Sequence, residues 1–348
     1  MKNSEFSSIF LGPLFQEKIN IKNINRNIYK EVLDLSDRFL ISSQVLNNIT
    51  CNDKDLNLLT SGLKKQSQIL NLKKLINQRE LSKIAKLFNE NGIKCIFLKG
   101  SAINFLSTRY IRHSRDIDIL VEKESLSKVY QLLKEIGFRY RNPLVSDNAK
   151  FTSNSYHLPI FSNNDGALVE IHHRITDGFI YKDCPLTESM LNEYITIEHK
   201  GINVKIPNLN NLIAHLVYHA VLHHNFNMGP IFLYDIKYLK QLLDNDKDLM
   251  DLLKSINLDK KYKEMSDYID SNSMKNYSDI YVKTNAKIKE DKNPKKLRFL
   301  IFTKEGRSIL FKKFLRNEDS YQTSKYSLRF YIILVIEFKD YFIKLIKN

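Results

Sequence analysis

Asn91-Gly92 separates two kinds of sequence. Before it, Leu70, Leu72, Leu75 and Ile76, then Leu81, Ile84, Ala85 and Phe88, recur at helical spacings of three and four. After it, Lys94-Cys95-Ile96-Phe97-Leu98 reads as a short apolar strand, Lys99-Gly100-Ser101 as a turn, and a helix is predicted from Ala102. Asp116-Ile117-Asp118-Ile119-Leu120-Val121 is a second strand. Side chains two apart on a strand share a face, so Asp116 and Asp118 project together while Ile117 and Ile119 face the other way. Adjacent carboxylates repel each other, and apolar neighbours add desolvation. A divalent cation between them relieves both penalties. Oxygen-only ligands point to Mg²⁺ or Mn²⁺ rather than zinc.

Gly100-Ser101 sits at the predicted strand-to-helix turn. Glycine permits close backbone approach, and a helix N-terminus offers N–H groups and a positive dipole to a phosphate. Arg109, Arg112 and Arg115 lie between this turn and the aspartates. A phosphate turn, cations and paired carboxylates are together the apparatus of phosphoryl or nucleotidyl transfer.

On a prior of roughly 150 residues per domain, the 348 residues suggest two domains or three small ones. Residues 1–90 read as a helical N-terminal region and 91–206 as the α/β core. Residues 207–348 read as a helical C-terminal region. The expected fold class is α/β (α+β): a small mixed sheet flanked by helices. After the second strand, Leu126, Val129, Tyr130, Leu132, Leu133 and Ile136 mark a helix ended by Gly137. Tyr156 to Phe161 and Ala167 to His172 are strand candidates around the turn Asn163-Asn164-Asp165-Gly166, and Ile202 to Ile206 is a fifth. Asn208 caps a helix over 209–223, and Ile231 to Leu243 forms another. The polar stretch 244–295 is expected to include a long, partly mobile connection. Two apolar helices are expected near 297–316 and 325–346, as core rather than membrane anchor.

The net charge of +15 resembles a nucleic-acid signal until it is divided along the chain. Residues 91–250 carry 18 basic and 17 acidic residues, whereas residues 251–348 carry 22 and 13. The near-neutral middle lacks the clustered cations that a long duplex requires. Three cysteines without CxxC spacing exclude a disulfide scaffold and argue against a cysteine-rich zinc site. No window has the length and apolarity of a membrane span, and the first 30 residues lack the pattern of a secretory signal. The expected location is the cytoplasm.

A strand ending in Gly-Ser, a helix, then a strand bearing Asp-x-Asp resembles the polymerase-β-like nucleotidyltransferase superfamily. The longer string LKGSA…RDIDILV is similar to its subgroup of bacterial uncharacterised nucleotidyltransferases. The likeness continues at Val169-Glu170-Ile171-His172-His173-Arg174 and through Leu212 to Leu239, covering roughly residues 70–245. It implies that Asp116 and Asp118 bind metal and that Glu170 adds a third carboxylate that activates the acceptor. It also implies that Gly100 and Ser101 hold nucleotide phosphates, with Lys99, Arg112 and Arg115 as further nucleotide contacts. His172 and His219 are candidate substrate contacts. The chain departs from the pattern in a longer interval between Gly100 and Asp116, and in His173 where an aromatic residue is common.

His215, His219 and His223 fall on one helical stripe. With no HExxH and no nearby cysteine, they read as a partly buried polar stripe beside the site rather than a zinc centre. Asp235 is expected to fix helix packing through a hydrogen bond. The expected function is Mg²⁺-dependent transfer of NMP from NTP to an acceptor with release of pyrophosphate. A small molecule, peptide or carrier protein is the favoured acceptor. The alternatives are a tRNA-directed transferase acting as a toxin, and a catalytically silent binding or regulatory module of the same fold.

Overall fold

The computed structural model describes residues 8–15, 18–20, 26–50, 57–106, 110, 112–141, 156–176, 185–224 and 229–270. Arg109, residues 271–295 and the two helices expected after them lie outside the described residues.

Helices α1 (Tyr29–Arg38) and α2 (Ser42–Asn48) lead into α3 (Asn57–Glu90), a single helix of 34 residues. Its buried stripe includes Leu63, Leu70, Leu81, Ile84, Ala85 and Phe88. Leu72 and Leu75, expected on that stripe, are 61% exposed; they lie on the other side of the helix from the sheet. The helix ends where Gly92 takes φ +68° and Ile93 N–H reaches back to the Phe88 carbonyl (2.8 Å), a left-handed glycine closure.

The elements that follow are β1 (Cys95–Phe97), α4 (Lys99–Leu106), β2 (Ile117–Val121) and α5 (Leu126–Glu135). Then come β3 (Arg139–Tyr140), β4 (Phe161–Ser162), β5 (Leu168–His172) and α6 (Leu186–Asn192). The hairpin β6 (Tyr194–His199) and β7 (Ile202–Pro207) precedes α7 (Leu209–Tyr218) and α8 (Ile231–Lys240). One mixed seven-stranded sheet has the order β3-β4-β5-β2-β1-β7-β6. Strand β2 lies at its centre, antiparallel to β1 and parallel to β5. Every residue of β2 is buried, as expected of a strand covered on both faces.

Several boundaries differ from the sequence expectation for identifiable reasons. Of the strand expected over 156–161, only Phe161 belongs to β4, with His157 forming an isolated bridge to His172. Pro159 has no N–H to give a ladder. Strand β6 was not anticipated; Lys200 (φ +53°) and Gly201 (φ +75°) form the two-residue left-handed turn that joins it to β7. The expected Asn208 cap is present, its side chain accepting from Asn211 N–H at 2.8 Å. The helix it opens changes character after Tyr218 and closes with a π turn over His219–His223. The stretch read as a polar connection contains α9 (Lys247–Ser255) and α10 (Asp259–Asp270), which bury Leu249, Leu253, Tyr262 and Met265. Among the described residues, no helix is long and apolar enough to cross a membrane.

Candidate active site

Register assembles the centre. In the parallel β2–β5 pair, Asp118 stands opposite Glu170 and Leu120 opposite His172. Ile117 and Ile119, on the other face, are fully buried in the core. Asp116 lies one residue before β2, held where Ser114 Oγ donates to its carbonyl (3.0 Å).

At the end of β1, Leu98 N–H donates to the Asp118 carbonyl (3.0 Å). Lys99 then takes φ +47°, an uncommon conformation for a side chain with a Cβ. That turn starts α4 and brings the Lys99 ammonium to Asp118 Oδ1 at 2.8 Å. Gly100 is closely packed: a Cβ there would meet Ser114 Cβ at 3.0 Å, tighter than an ordinary contact. Ser101 is buried behind the turn, and its N–H already donates to the Leu98 carbonyl (3.1 Å).

Asp118 has two cationic or proton-donating partners, Lys99 and His172, whose Nε2 is 2.9 Å from the same Oδ1. Burial opposes its ionisation, yet Lys99 and His172 hold its carboxyl well below the usual range. His172 Nε2 also lies 3.5 Å from Glu170 Oε2. Burial favours neutral His172, but the two carboxylates raise it above its ordinary value. Glu170 is desolvated too, and the His172 hydrogen bond nevertheless lowers it. Asp116 is the exception: burial, then the Asp118 and Glu170 charges, push it up to about 7.

These groups line one cavity of about 650 Å³. Lys99, Gly100, Arg112, Arg115, Asp116, Asp118, Glu170, His172 and His219 all reach it; Ser101 does not. Arg112, expected as a nucleotide contact, borders the cavity while its Nε lies 2.9 Å from both carboxylate oxygens of Asp235. Its Nη1 also bonds the His113 carbonyl, and Tyr110 OH donates to Asp235 Oδ1 (2.8 Å). Exposed Arg115 donates to the Arg38 carbonyl (3.3 Å), and both arginines border the cavity.

Sequence reasoning missed Ser114, Tyr156, His157 and His224, all on the cavity wall. Tyr156 OH lies 2.6 Å from His223 Nε2, and its ring stacks against His172 at 5.9 Å. The adjacent His223-His224 pair was the available signal, but a regular helix would point the two rings apart. Burial holds His215 and His219 well below their ordinary values and lowers His223 to about 4, so these imidazoles are neutral at pH 7.

A mixed sheet that brings strand carboxylates together beside a strand–turn–helix suits a transferase of nucleotidyl groups. The chain belongs to the uncharacterised nucleotidyltransferase family, whose sequence pattern matches residues 37–268, about two thirds of its length. No curated protein matches it. The solution structure of the antibiotic-resistance factor ANT(2'')-Ia is similar at 14% identity and TM-score 0.37, covering 55% of this chain and 97% of that one. A nucleotidyltransferase-like antigenic protein from Paracoccidioides brasiliensis has 17% identity and TM-score 0.36, covering 55% and 90%. The crystal structure of ANT(2'')-Ia with adenylyl-2''-tobramycin has 14% identity and TM-score 0.32, covering 52% and 95%.

Proposed function

We propose that the protein transfers a nucleoside monophosphate from a Mg²⁺-bound NTP to an acceptor and releases pyrophosphate. The observation that carries this reading is the excess of carboxylates over cations at the centre. Lys99 and His172 satisfy Asp118, which leaves Asp116 pushed up to about 7 by burial and by its two acidic neighbours. An oxygen donor set with unmet negative charge fits Mg²⁺ or Mn²⁺. Asp116, Asp118 and Glu170 would hold the ion, which when bound supplies charge neutralisation at the attacking and leaving oxygens.

The chain's own groups divide the remaining work. Glu170, kept ionised beside His172, accepts the hydrogen bond of the attacking hydroxyl and takes its proton. The acceptor oxygen then bonds the α-phosphorus as the bond to the pyrophosphate oxygen breaks. Gly100 borders the cavity at the turn with Ser114 packed against it, and Arg115 borders the same cavity as a cation for the leaving group. Arg112 acts as a positioning residue, anchoring the segment that carries Ser114 and Asp116 to α8 through Asp235.

A cavity of about 650 Å³ accommodates a nucleotide with a small molecule or a short extended segment of an acceptor. The near-neutral charge of residues 91–250 supports a small-molecule, peptide or carrier-protein acceptor over a duplex.

Thermal unfolding with Mg²⁺ and each NTP in turn, for wild type and Asp116→Asn, tests the reading. This variant leaves the Lys99–Asp118–His172 bonds in place. A ligand at 100 times its dissociation constant stabilises by roughly 2.7 kcal/mol. Stabilisation by one NTP that the variant lacks is the expected result, and α-labelled nucleotide then finds the acceptor. No stabilisation by any NTP would sink transfer in favour of a silent module. Label appearing on tRNA would instead select the RNA-directed reading.

A further inference from the structure

The helical wall of the cavity contains a second group of potential ligands. His219 and His223 open and close the π turn that follows α7, and His224 comes next. The wide turn changes which imidazoles meet. His219 and His224 Nε2 atoms are 3.2 Å apart, and ligand atoms of His219, His223 and His224 all lie within 4.8 Å of one another. His215, one turn earlier, is outside this group, its ring centroid 6.2 Å from that of His219.

The spacing has a physical meaning. Two imidazole nitrogens on a tetrahedral zinc, each about 2.0–2.1 Å from the ion, are separated by about 3.3–3.4 Å. The His219–His224 pair already has nearly that separation. His223 is exposed, is carried by the same turn, and has a ligand atom within 4.8 Å of those of the other two. Nδ1 of His219 is buried with no hydrogen-bond partner among the described residues, and its Nε2 faces His224 Nε2 at 3.2 Å, so the ring's polar contact is within the trio itself.

We propose that His219, His223 and His224 form a second metal site, for a borderline transition ion of the Zn²⁺ class, on the wall of the nucleotide cavity. Three nitrogen donors differ in kind from the carboxylate oxygens of β2 and β5, and imidazole selects zinc, copper, nickel or iron over magnesium. Three protein ligands leave a fourth position open, as in sites that bind water or a ligand oxygen. All three residues line the cavity, so that position is accessible from within it. The proposal does not depend on nucleotidyl transfer.

Equilibrium dialysis of tag-free, full-length protein against micromolar Zn²⁺ in millimolar Mg²⁺ tests it. Wild type should retain one Zn²⁺ per chain, as should Asp116→Asn and His215→Gln. His219→Gln and His224→Gln should weaken binding by at least about 100-fold, more than loss of an outer hydrogen-bond partner of a ligand costs. His223→Gln, at an exposed position, keeps the test valid if a buried variant fails to fold. The cobalt(II) form should show the intense visible bands of a four-coordinate ion with nitrogen ligands. Failure of wild type to retain Zn²⁺ against Mg²⁺ would overturn the proposal. So would retention by all three trio variants with loss in Asp116→Asn, or weak octahedral cobalt bands, because either places the ion among the carboxylates.

Discussion

Two buried ion pairs meet near the same cavity, Arg112 with Asp235 and Lys99 with Asp118. Both are short, at 2.9 and 2.8 Å, and both involve acidic side chains at most 4% exposed. Their surroundings differ. Asp235 has a guanidinium facing both its oxygens and a phenol donating to one, so one negative charge meets one positive charge. Asp118 shares its cation with Asp116 and Glu170, and three carboxylates surround one ammonium and one histidine. The first arrangement is complete without a ligand. The second remains short of positive charge, and that deficit, rather than burial or pairing as such, separates the two.

Removing one partner from the complete pair should have the largest effect. Asp235→Ala leaves Arg112 charged and buried, and an orphaned buried charge costs about 3–5 kcal/mol. Urea denaturation measures this, and a loss below about 1 kcal/mol would mean the pair is not closed as described. Lys99→Met should cost less, roughly 2 kcal/mol in chelator, because His172 still serves Asp118. Mg²⁺ should then recover more stability in Lys99→Met than in wild type, and no more than in wild type in Arg112→Met. Equal responses in the two variants would erase the distinction.

A third effect has the opposite sign. Asp116 is raised from its ordinary value to about 7, so the folded state holds a proton that the unfolded chain releases at lower pH. Its contribution to metal-free stability is fully present below the unfolded value and is lost as pH rises through about 7. Asp116→Asn removes the titration. In chelator the variant should be more stable than wild type by at least about 1 kcal/mol near pH 8, with a smaller difference near pH 5. A difference independent of pH would show that Asp116 is not the strained carboxylate.

The parts legible in the sequence depend on short-range chemistry. The helix stop at Gly92, the strands around Lys99–Gly100, the Asn208 cap and the Asn163–Gly166 turn each follow from a few neighbouring residues. Asp118 and Glu170 were recognised as candidate partners, but their register belongs to the tertiary structure. The separation of roles among the cations was not legible. Arg112 looks like Arg115 until Asp235, 123 residues away, is brought against it. Ser101 suggests a phosphate contact until packing buries it and Ser114 comes to rest against Gly100. The histidine stripe was read with a period of 3.6, whereas the π turn exchanges His215 for His224. Strand β6 was missed although Tyr194-Ile195-Thr196-Ile197 is β-favouring; it is a largely exposed edge strand that pairs with β7.

The parallel pairing of β2 with β5 also governs the order of events during synthesis. Asp118 and its hydrogen-bond partner His172 are 54 positions apart, and parallel strands cannot be joined by a tight turn. A nascent chain that has emerged only to the Asn163–Gly166 turn has made one aspartate pair but neither Glu170 nor His172. Strand β5 lies between β2 and β4 and carries both residues. A slip of one residue would put Val169 or Ile171 opposite Asp118 and turn Glu170 into the core, an arrangement that burial forbids. The centre is thus all-or-none: a chain with the wrong pairing lacks both a stable sheet and a complete set of carboxylates.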